Sequence, residues 1–596
     1  MASTKKPDSN CSARDSTPQT AQARAASRAA QLSEHLSTQQ ENDRRRKNER
    51  RTKPIPNGLP ADYSDILGQV ASLRAMANTP DPSRPGYVRQ KQAGKLWVRE
   101  RVDKLLDPGS FYEVGSVSGE VEWKQLGGLQ EEPTSFTPSN NVQGFGKLLG
   151  REIVFTADDF SLRAGHADGA LMAKTTYMEK LALKLQLPMI KLVDGSSGGG
   201  SVTTIKRNGW SYIPPLEGFN LVVEQLNSGI PNLGACLGPA IGLGAARVVA
   251  CHFSVMAADI GALFNAGPNV VKNATFEEGL RFQELGGPYM HGTNGTIDNI
   301  AANEEDSFEQ IRKVLSFLPN SGTQIPPSLP SDDAVDRDCP ELRTIVPRRR
   351  ERMYNARKVI NSVVDKDSFF EIGPLWGRTV IVGLARLGGY SVGICSNNPE
   401  ISTGSLDAAG SQKLTRHLKF CDLFNIPLMQ FVDVPGYTIG TVAERAATMR
   451  WGVELAKTYY TTTMPIFSVV VRKAYGVAGG IMLDCRDPRM RVAWPSGEWG
   501  SLPLDGGIEV GHSAELKKVE QEKGVEARKA RYIELEQEYR RLMNPVRTAN
   551  AFGIEEIIDP AVTRPVAAKW LERVYKTELP ERIVRRINGQ LRPVFA

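Results

Sequence analysis

Helix-forming stretches lead repeatedly into short apolar runs along this chain. Ala170 to Leu185 precedes the run Leu187 to Asp194, and Gln412 to Phe424 precedes Ile426 to Asp433. The runs close with Asp194-Gly195 and with Asp433-Val434-Pro435-Gly436. Apolar runs of this length, bounded by glycine and proline, predict buried strands. Their alternation with helices predicts an α/β architecture. Ala514 to Met543 differs, being almost entirely charged residues and strong helix formers. It predicts one long exposed helix that packs on a neighbouring copy or subunit.

The pattern occurs twice. Ser110-Phe111-Tyr112-Glu113-Val114-Gly115 returns as Ser368-Phe369-Phe370-Glu371-Ile372-Gly373. Leu187-Pro188-Met189 to Asp194 returns as Ile426-Pro427-Leu428 to Asp433, and Ile230-Pro231 with Gly238 to Gly244 returns as Met464-Pro465 with Arg472 to Gly480. Three matches in one order predict two copies of one fold. Pro319 to Pro340, rich in Pro, Ser and Asp, reads as the linker between them. The predicted domains are therefore 57–330 and 331–596, behind a tail at 1–56.

Composition refines this picture in three places. At 40% hydrophobic and 24% charged residues the chain is globular. Its net charge of +7 belongs to the tail, where residues 1–56 hold 12 Lys and Arg against 6 Asp and Glu. The remainder is close to neutral, whereas a nucleic-acid protein would need a basic face there. With little apolar surface, the tail is expected to be disordered. A basic helix at Ala21 to Ala30 is the targeting alternative, although Asp8 and Asp15 argue against a mitochondrial presequence. The seven cysteines form no CxxC pair or His/Cys cluster, so neither a metal site nor a disulfide framework is expected. The most apolar stretch, Leu233 to Pro268, is broken by Arg247, His252 and Asp259 and studded with glycine, which favours buried helix and turn over a membrane span there. A soluble intracellular protein is expected, cytoplasmic in preference to the mitochondrial matrix.

Two glycine-rich turns stand at equivalent places in the repeat. Gly238-Pro239-Ala240-Ile241-Gly242-Leu243-Gly244 follows the strand-like Asn232 to Leu237, and Arg472-Lys473-Ala474-Tyr475-Gly476-Val477-Ala478-Gly479-Gly480 follows Ile466 to Val471. A strand, a glycine turn and a helix point several free backbone N–H groups at one spot, where an oxyanion can sit. Alone, such glycines more often serve packing; their duplication favours function. A third element, Asp194-Gly195-Ser196-Ser197-Gly198-Gly199-Gly200, lacks the ending of a P-loop and reads as a pocket wall near an acyl group. None of the six histidines stands in a nucleophile elbow or a metal-binding spacing. Catalysis would then rest on backbone dipoles and positioning.

The chain resembles the carboxyltransferase (β) subunit of biotin-dependent acyl-CoA carboxylases, the propionyl-CoA carboxylase β family. The resemblance is carried by Gly94-Lys95-Leu96-Trp97-Val98-Arg99-Glu100-Arg101-Val102 with Leu105-Leu106-Asp107-Pro108-Gly109-Ser110-Phe111, by Asn425-Ile426-Pro427, and by Phe431-Val432-Asp433-Val434-Pro435-Gly436-Tyr437. Gly440-Thr441, Arg472-Lys473-Ala474-Tyr475-Gly476 and Trp494-Pro495 complete it. It implies a tandem pair of crotonase-like (ClpP/crotonase superfamily) domains that move a carboxyl group from carboxybiotin to the α-carbon of an acyl-CoA. It also implies backbone oxyanion donors at Gly242, Leu243, Val477 and Ala478, substrate contacts at Ser197, Gly198, Gly199, Gly476 and Gly480, and cofactor contacts at Tyr475 and Gly479. The biotin is carried on a partner, no metal is bound, and the chain assembles as a hexamer, a trimer of dimers. With no Ala-Met-Lys-Met motif and no ATP-grasp loop, a biotin carboxylase and biotin carrier partner is implied.

Some positions depart from the family pattern. Gly242-Leu243 stands where the family has Gly-Gly, and Gly476-Val477-Ala478 where it has Gly-Gly-Ala. Gly480 occupies a position that helps set acyl length, and its small size implies a roomier pocket. Two alternatives stay open: a decarboxylase subunit running the reaction in reverse, and a non-catalytic acyl-CoA-binding or scaffold subunit.

Overall fold

A computed structural model of the chain describes residues 18–51, 59–166, 171–196, 202–213, 216, 218–349 and 352–595. Two compact units divide it, one from residues 1–73 and 121–135, the other from 74–120 and 136–596. In the first, Pro18–Arg51 is a single helix, where the tail's composition had implied disorder. Its Ala, Gln, Leu, Glu and Arg are strong helix formers, although its described side chains are exposed. In the same unit Gln69 donates to the Glu131 carbonyl at 2.8 Å.

The two large sheets lie in the second unit. In chain order the strands begin with β1 (Tyr112–Glu113), then β2 (Gly119–Gly127) and β3 (Gln130–Pro138), which pair with each other. They continue with β4 (Asn141–Leu148), β5 (Arg151–Asp158), β6 (Met189–Val193), β7 (Asn232–Cys236), β8 (Pro239–Ile241), β9 (Phe253–Ala257), β10 (Ala262–Phe264) and β11 (Asn299–Ala301). The first sheet has the order β1-β4-β5-β6-β7-β9-β11. Its β1, β4 and β5 are antiparallel, and from β5 onward each pair is parallel.

The second copy repeats this plan. Its strands are β12 (Phe370–Ile372), β13 (Val380–Leu387), β14 (Tyr390–Asn397), β15 (Leu428–Val434), β16 (Ile466–Tyr475), β17 (Arg491–Ala493), β18 (Glu498–Gly500) and β19 (Glu556–Ile557). Their order is β12-β13-β14-β15-β16-β17-β19, with β18 also on β16. The equivalence reaches individual bonds. Val154 and Gly393 each donate to the proline carbonyl before the next strand, Pro188 and Pro427, both at 2.9 Å. Met189 and Leu428 do the same to Pro231 and Pro465, at 2.7 and 2.9 Å.

The repeated Ser-Phe motif works as a clamp on the first hairpin of each sheet. Asp107 accepts the Leu149 and Gly150 amides, at 3.2 and 2.7 Å, in the β4–β5 turn. Asp365 accepts Gly388 and Gly389, at 2.9 and 2.8 Å, in the β13–β14 turn. Ser110 and Ser368 accept the Lys147 and Arg386 amides, and Glu113 and Glu371 each take a two-pronged arginine, Arg99 and Arg357. Between the sheets Asn299 donates to the Glu371 carbonyl and accepts from the Gly373 amide. Phe253 meets Phe370 ring to ring at 5.8 Å, and one apolar core runs through both copies.

The predicted single helix at Ala514 to Met543 is instead two, Ser513–Lys523 and Val525–Leu542, parted at Gly524 with φ 84°. That conformation suits glycine alone, and it folds the charged segment into a hairpin. With the preceding helix Leu504–Gly511, the pair buries its own small core of Leu504, Ile508, Leu516 and Leu535.

The two clamps differ in one respect that predicts unequal stability effects. Asp365 also holds the fully buried Arg564 at 2.8 Å, whereas Asp107 clamps an exposed turn. Asp365→Ala leaves the buried guanidinium with only the more distant Asp333 carboxylate, at 3.5 Å, and should cost about 3 kcal/mol. Asp107→Ala should cost only about 1 kcal/mol. Urea unfolding of both variants checks this, and equal losses would contradict it.

Candidate active site

Each glycine turn is set by a short parallel strand pair. β8 pairs with β10 so that Ile241 lies opposite Phe264, and the end of β16 pairs with β18 so that Tyr475 lies opposite Gly500. The next residues, Gly242 and Gly476, have φ 55° and 59°, which side chains resist. Helices Leu243–Val249 and Gly476–Leu483 follow.

This register bears on the expected donors. Gly242 is the equivalent of Gly476, so Leu243 and Gly244 match Val477 and Ala478. Moreover, Gly242 already donates its N–H to the Phe264 carbonyl at 3.1 Å. Its N–H is thus engaged within the turn, at the positive-φ position that opens the helix. The first bond within the helix runs from Ala246 to Gly242 at 2.9 Å, so Leu243, Gly244 and Ala245 have no helical carbonyl to bind. At the second turn Val477 is 71% exposed, with Ala478 buried behind it.

A buried carboxylate stands behind each turn, at the end of the adjacent strand. Asp433 is gripped by Arg472 at 3.0 Å and accepts the Lys473 amide at 3.1 Å. Asp194 is gripped by Lys95 at 2.5 Å and Arg101 at 2.9 Å. Burial alone would lower the Arg101 pKa, but the charges of Asp194 and Glu304 hold it above its ordinary value. Sequence reasoning missed Lys95, Arg101 and Asp194 as a unit. Their proximity follows from sheet topology, and the nearest signal was the basic and acidic run at Gly94 to Val102.

Comparison with known proteins decides the family, because a model of the carboxyl transferase domain matches residues 89–587. The chain belongs to the carboxyl transferase domain family. This carboxyltransferase is similar to the human mitochondrial propionyl-CoA carboxylase beta chain, at 34% identity over 80% of this chain and 84% of that one. It is 30% identical to the methylmalonyl-CoA decarboxylase subunit alpha of Veillonella parvula, over 81% and 91% of the two chains. Among solved structures it resembles the transcarboxylase 12S hexamer with methylmalonyl-coenzyme A and methylmalonic acid bound. The TM-score there is 0.75 at 28% identity, covering 88% of this chain and 97% of that one. The duplicated α/β halves are crotonase-like domains, and the chain is an acyl-CoA carboxylase carboxyltransferase subunit.

The remaining expected site residues of the carboxyltransferase divide into three groups. Gly476 and Gly480 are exposed, and a Cβ at Gly480 would meet nothing within 4 Å. Tyr475 and Gly479 are buried. A Cβ at Gly479 would lie 2.6 Å from the Ala474 carbonyl carbon, so this glycine permits helix–strand contact. Ser197, Gly198 and Gly199 lie outside the described residues. Among the described residues no group of His, Cys, Asp and Glu is arranged to hold a metal, and no helix is long and apolar enough to cross a membrane.

The histidines nearest the interior serve structure. His252 accepts the Asn232 amide at Nδ1, 3.1 Å, and its Nε2 lies 3.0 Å from the Leu226 carbonyl. Burial pushes His252 and His417 down to about 3 from 6.5. Near neutral pH both are uncharged in the folded chain. Below pH 6.5 the unfolded chain takes up two protons that the folded one refuses, so stability falls as pH drops toward 3. Each histidine should contribute a slope of about 1.4 kcal/mol per pH unit. Denaturant midpoints from pH 7.5 to 5 should therefore decline less in a His252→Gln/His417→Gln chain; parallel curves would contradict this.

Proposed function

We propose that this carboxyltransferase moves a carboxyl group between biotin, carried on a partner subunit, and the α-carbon of an acyl-CoA thioester. The observation that carries this reading is the duplicated turn, with a positive-φ glycine opening a helix in each copy. In the first turn, the Leu243 and Gly244 amides would receive the thioester oxygen. Negative charge develops on that oxygen as the α-proton leaves, and fixed backbone dipoles stabilise it without reorganising. In the second, the Val477 and Ala478 amides would receive the ureido oxygen of biotin. A neutral urea needs donors and no counter-charge, and the absence of any atom within 4 Å of a Cβ at Gly480 supports room for a ring beside them. Bound biotin supplies the carboxyl group and a ureido nitrogen basic enough to accept the α-proton. The chain's own part is to hold both carbonyl oxygens and to exclude a competing side-chain base; His252 and His417 are buried and neutral.

Assembly into a hexamer with a biotin carboxylase and biotin carrier partner belongs to the same proposal. Exposed apolar side chains in the second copy, Ile439, Val442, Met449 and Val477, support a face covered by another subunit. The likeness to a methylmalonyl-CoA decarboxylase subunit favours a second reading, in which the same site runs from carboxyacyl-CoA to biotin.

Proline at the start of a helix removes an N–H while leaving the helix intact. Leu243→Pro and Val477→Pro should each lower carboxyl exchange between free biotin and a panel of acyl-CoAs by about 10²–10³-fold, with unchanged circular dichroism. Folded variants at full rate would remove the reading.

A further inference from the structure

The two copies supply a cation to the same carboxylate by different routes. Tyr475 and Ile241 are equivalent through their strand pairings, which makes Gly238 the equivalent of Arg472. In the second copy Arg472 reaches Asp433 from its own strand. In the first, a Cβ on Gly238 would lie 2.0 Å from Asp194 Oδ1 and 2.4 Å from Lys95 Nζ. The ion pair therefore fills the space a side chain there would need, and the cations come from Lys95 and from Arg101 on the helix Val98–Leu105.

Arg101 is completely buried and makes three contacts, each to a different segment. Its Nε meets Glu304 at 2.5 Å, one terminal nitrogen meets Asp194 at 2.9 Å, and the other donates to the Leu237 carbonyl at 2.9 Å. Asp194 follows β6 directly, and Leu237 links β7 to the strand that sets the first turn. The loop after Asp194 then touches that turn directly. Ile241 donates to the Gly195 carbonyl at 3.1 Å, and a Cβ on Gly244 would lie 2.1 Å from the same oxygen.

Resting on the assignment of the first turn to the acyl thioester, we infer that Arg101 is a positioning residue for carboxyl transfer: it fixes the Leu243–Gly244 amides by holding Asp194 and the Leu237 carbonyl at once. A buried ion pair adds little stability over an apolar replacement. Recruitment of a cation to this carboxylate in both copies, from unrelated elements, points to geometry as the property that is kept.

The test separates positioning from stability. Arg101→Met alone leaves Asp194 and Glu304 short of a partner and destabilises for that reason. Arg101→Met with Glu304→Gln removes one charge of each sign, leaves Lys95 on Asp194, and keeps an acceptor for the Leu96 amide, which Glu304 holds at 2.8 Å. This double variant should melt close to wild type. Hydrogen exchange should quicken across residues 237–246 and stay unchanged across 471–483. Turnover, measured with methylmalonyl-CoA and free biotin as probes, should fall about 10²-fold, the scale of a small misplacement of reacting groups. Wild-type exchange across 237–246, or faster exchange at undiminished turnover, would overturn the inference. If the double variant does not fold, Arg101→Lys is read by the same criteria, because one ammonium cannot span the three acceptors. Leu243→Pro is assayed in parallel: its full rate would fault the acyl-site assignment, whereas a wild-type exchange pattern in the Arg101 variants faults the positioning role.

Discussion

A carboxylate sealed at the end of a parallel strand, with a cation pressed against it, organises each half of this molecule. Asp194 and Asp433 are both completely or almost completely buried, where an unpaired charge is not tolerated. The pairing fixes more than the charge. Through Arg101 it ties β6 to the exit of β7, and through the Lys473 amide it ties β15 to β16. The two glycine turns follow closely along the chain, after β8 and at the end of β16, so their amides inherit the rigidity of the sheet.

Small residues complete the arrangement where backbones approach closely. Gly165 and Gly404 sit at equivalent bends, and a Cβ on either would fall 2.6 or 2.4 Å from the carbonyl of the buried aspartate. Gly479 lets the second helix lie on its own strand, as Gly244 does against the loop in the first copy. The departures Leu243 and Val477 fall beyond the two positive-φ positions, where a side chain is accommodated and the amide is retained.

The duplication was legible because its repeated letters each do a local job: aspartate and serine cap a hairpin, glutamate takes an arginine, proline ends a turn. Such short-range chemistry leaves short-range motifs. The register of the turns was not legible, because whether Gly242 spends its N–H on Phe264 depends on a strand pairing that the sequence does not display. Arg101 was invisible for a similar reason, lying 93 residues from Asp194 and 136 from Leu237. The charged segment after residue 513 misled differently. Its composition favours helix throughout, and a single glycine at 524 turned one rod into a hairpin.

The unlike routes to one cation also bear on how the two halves have evolved. Immediately after duplication, equivalent strands are interchangeable, and exchange between copies keeps them alike. That traffic is now closed at this point. An arginine transplanted to 238 would begin inside the Lys95–Asp194 pair, and a glycine transplanted to 472 would strip Asp433 of its guanidinium partner. Each half has become the required context for its own substitution, so the divergence acts as a ratchet. The halves keep a common backbone plan while their sequences can no longer converge at this position one step at a time.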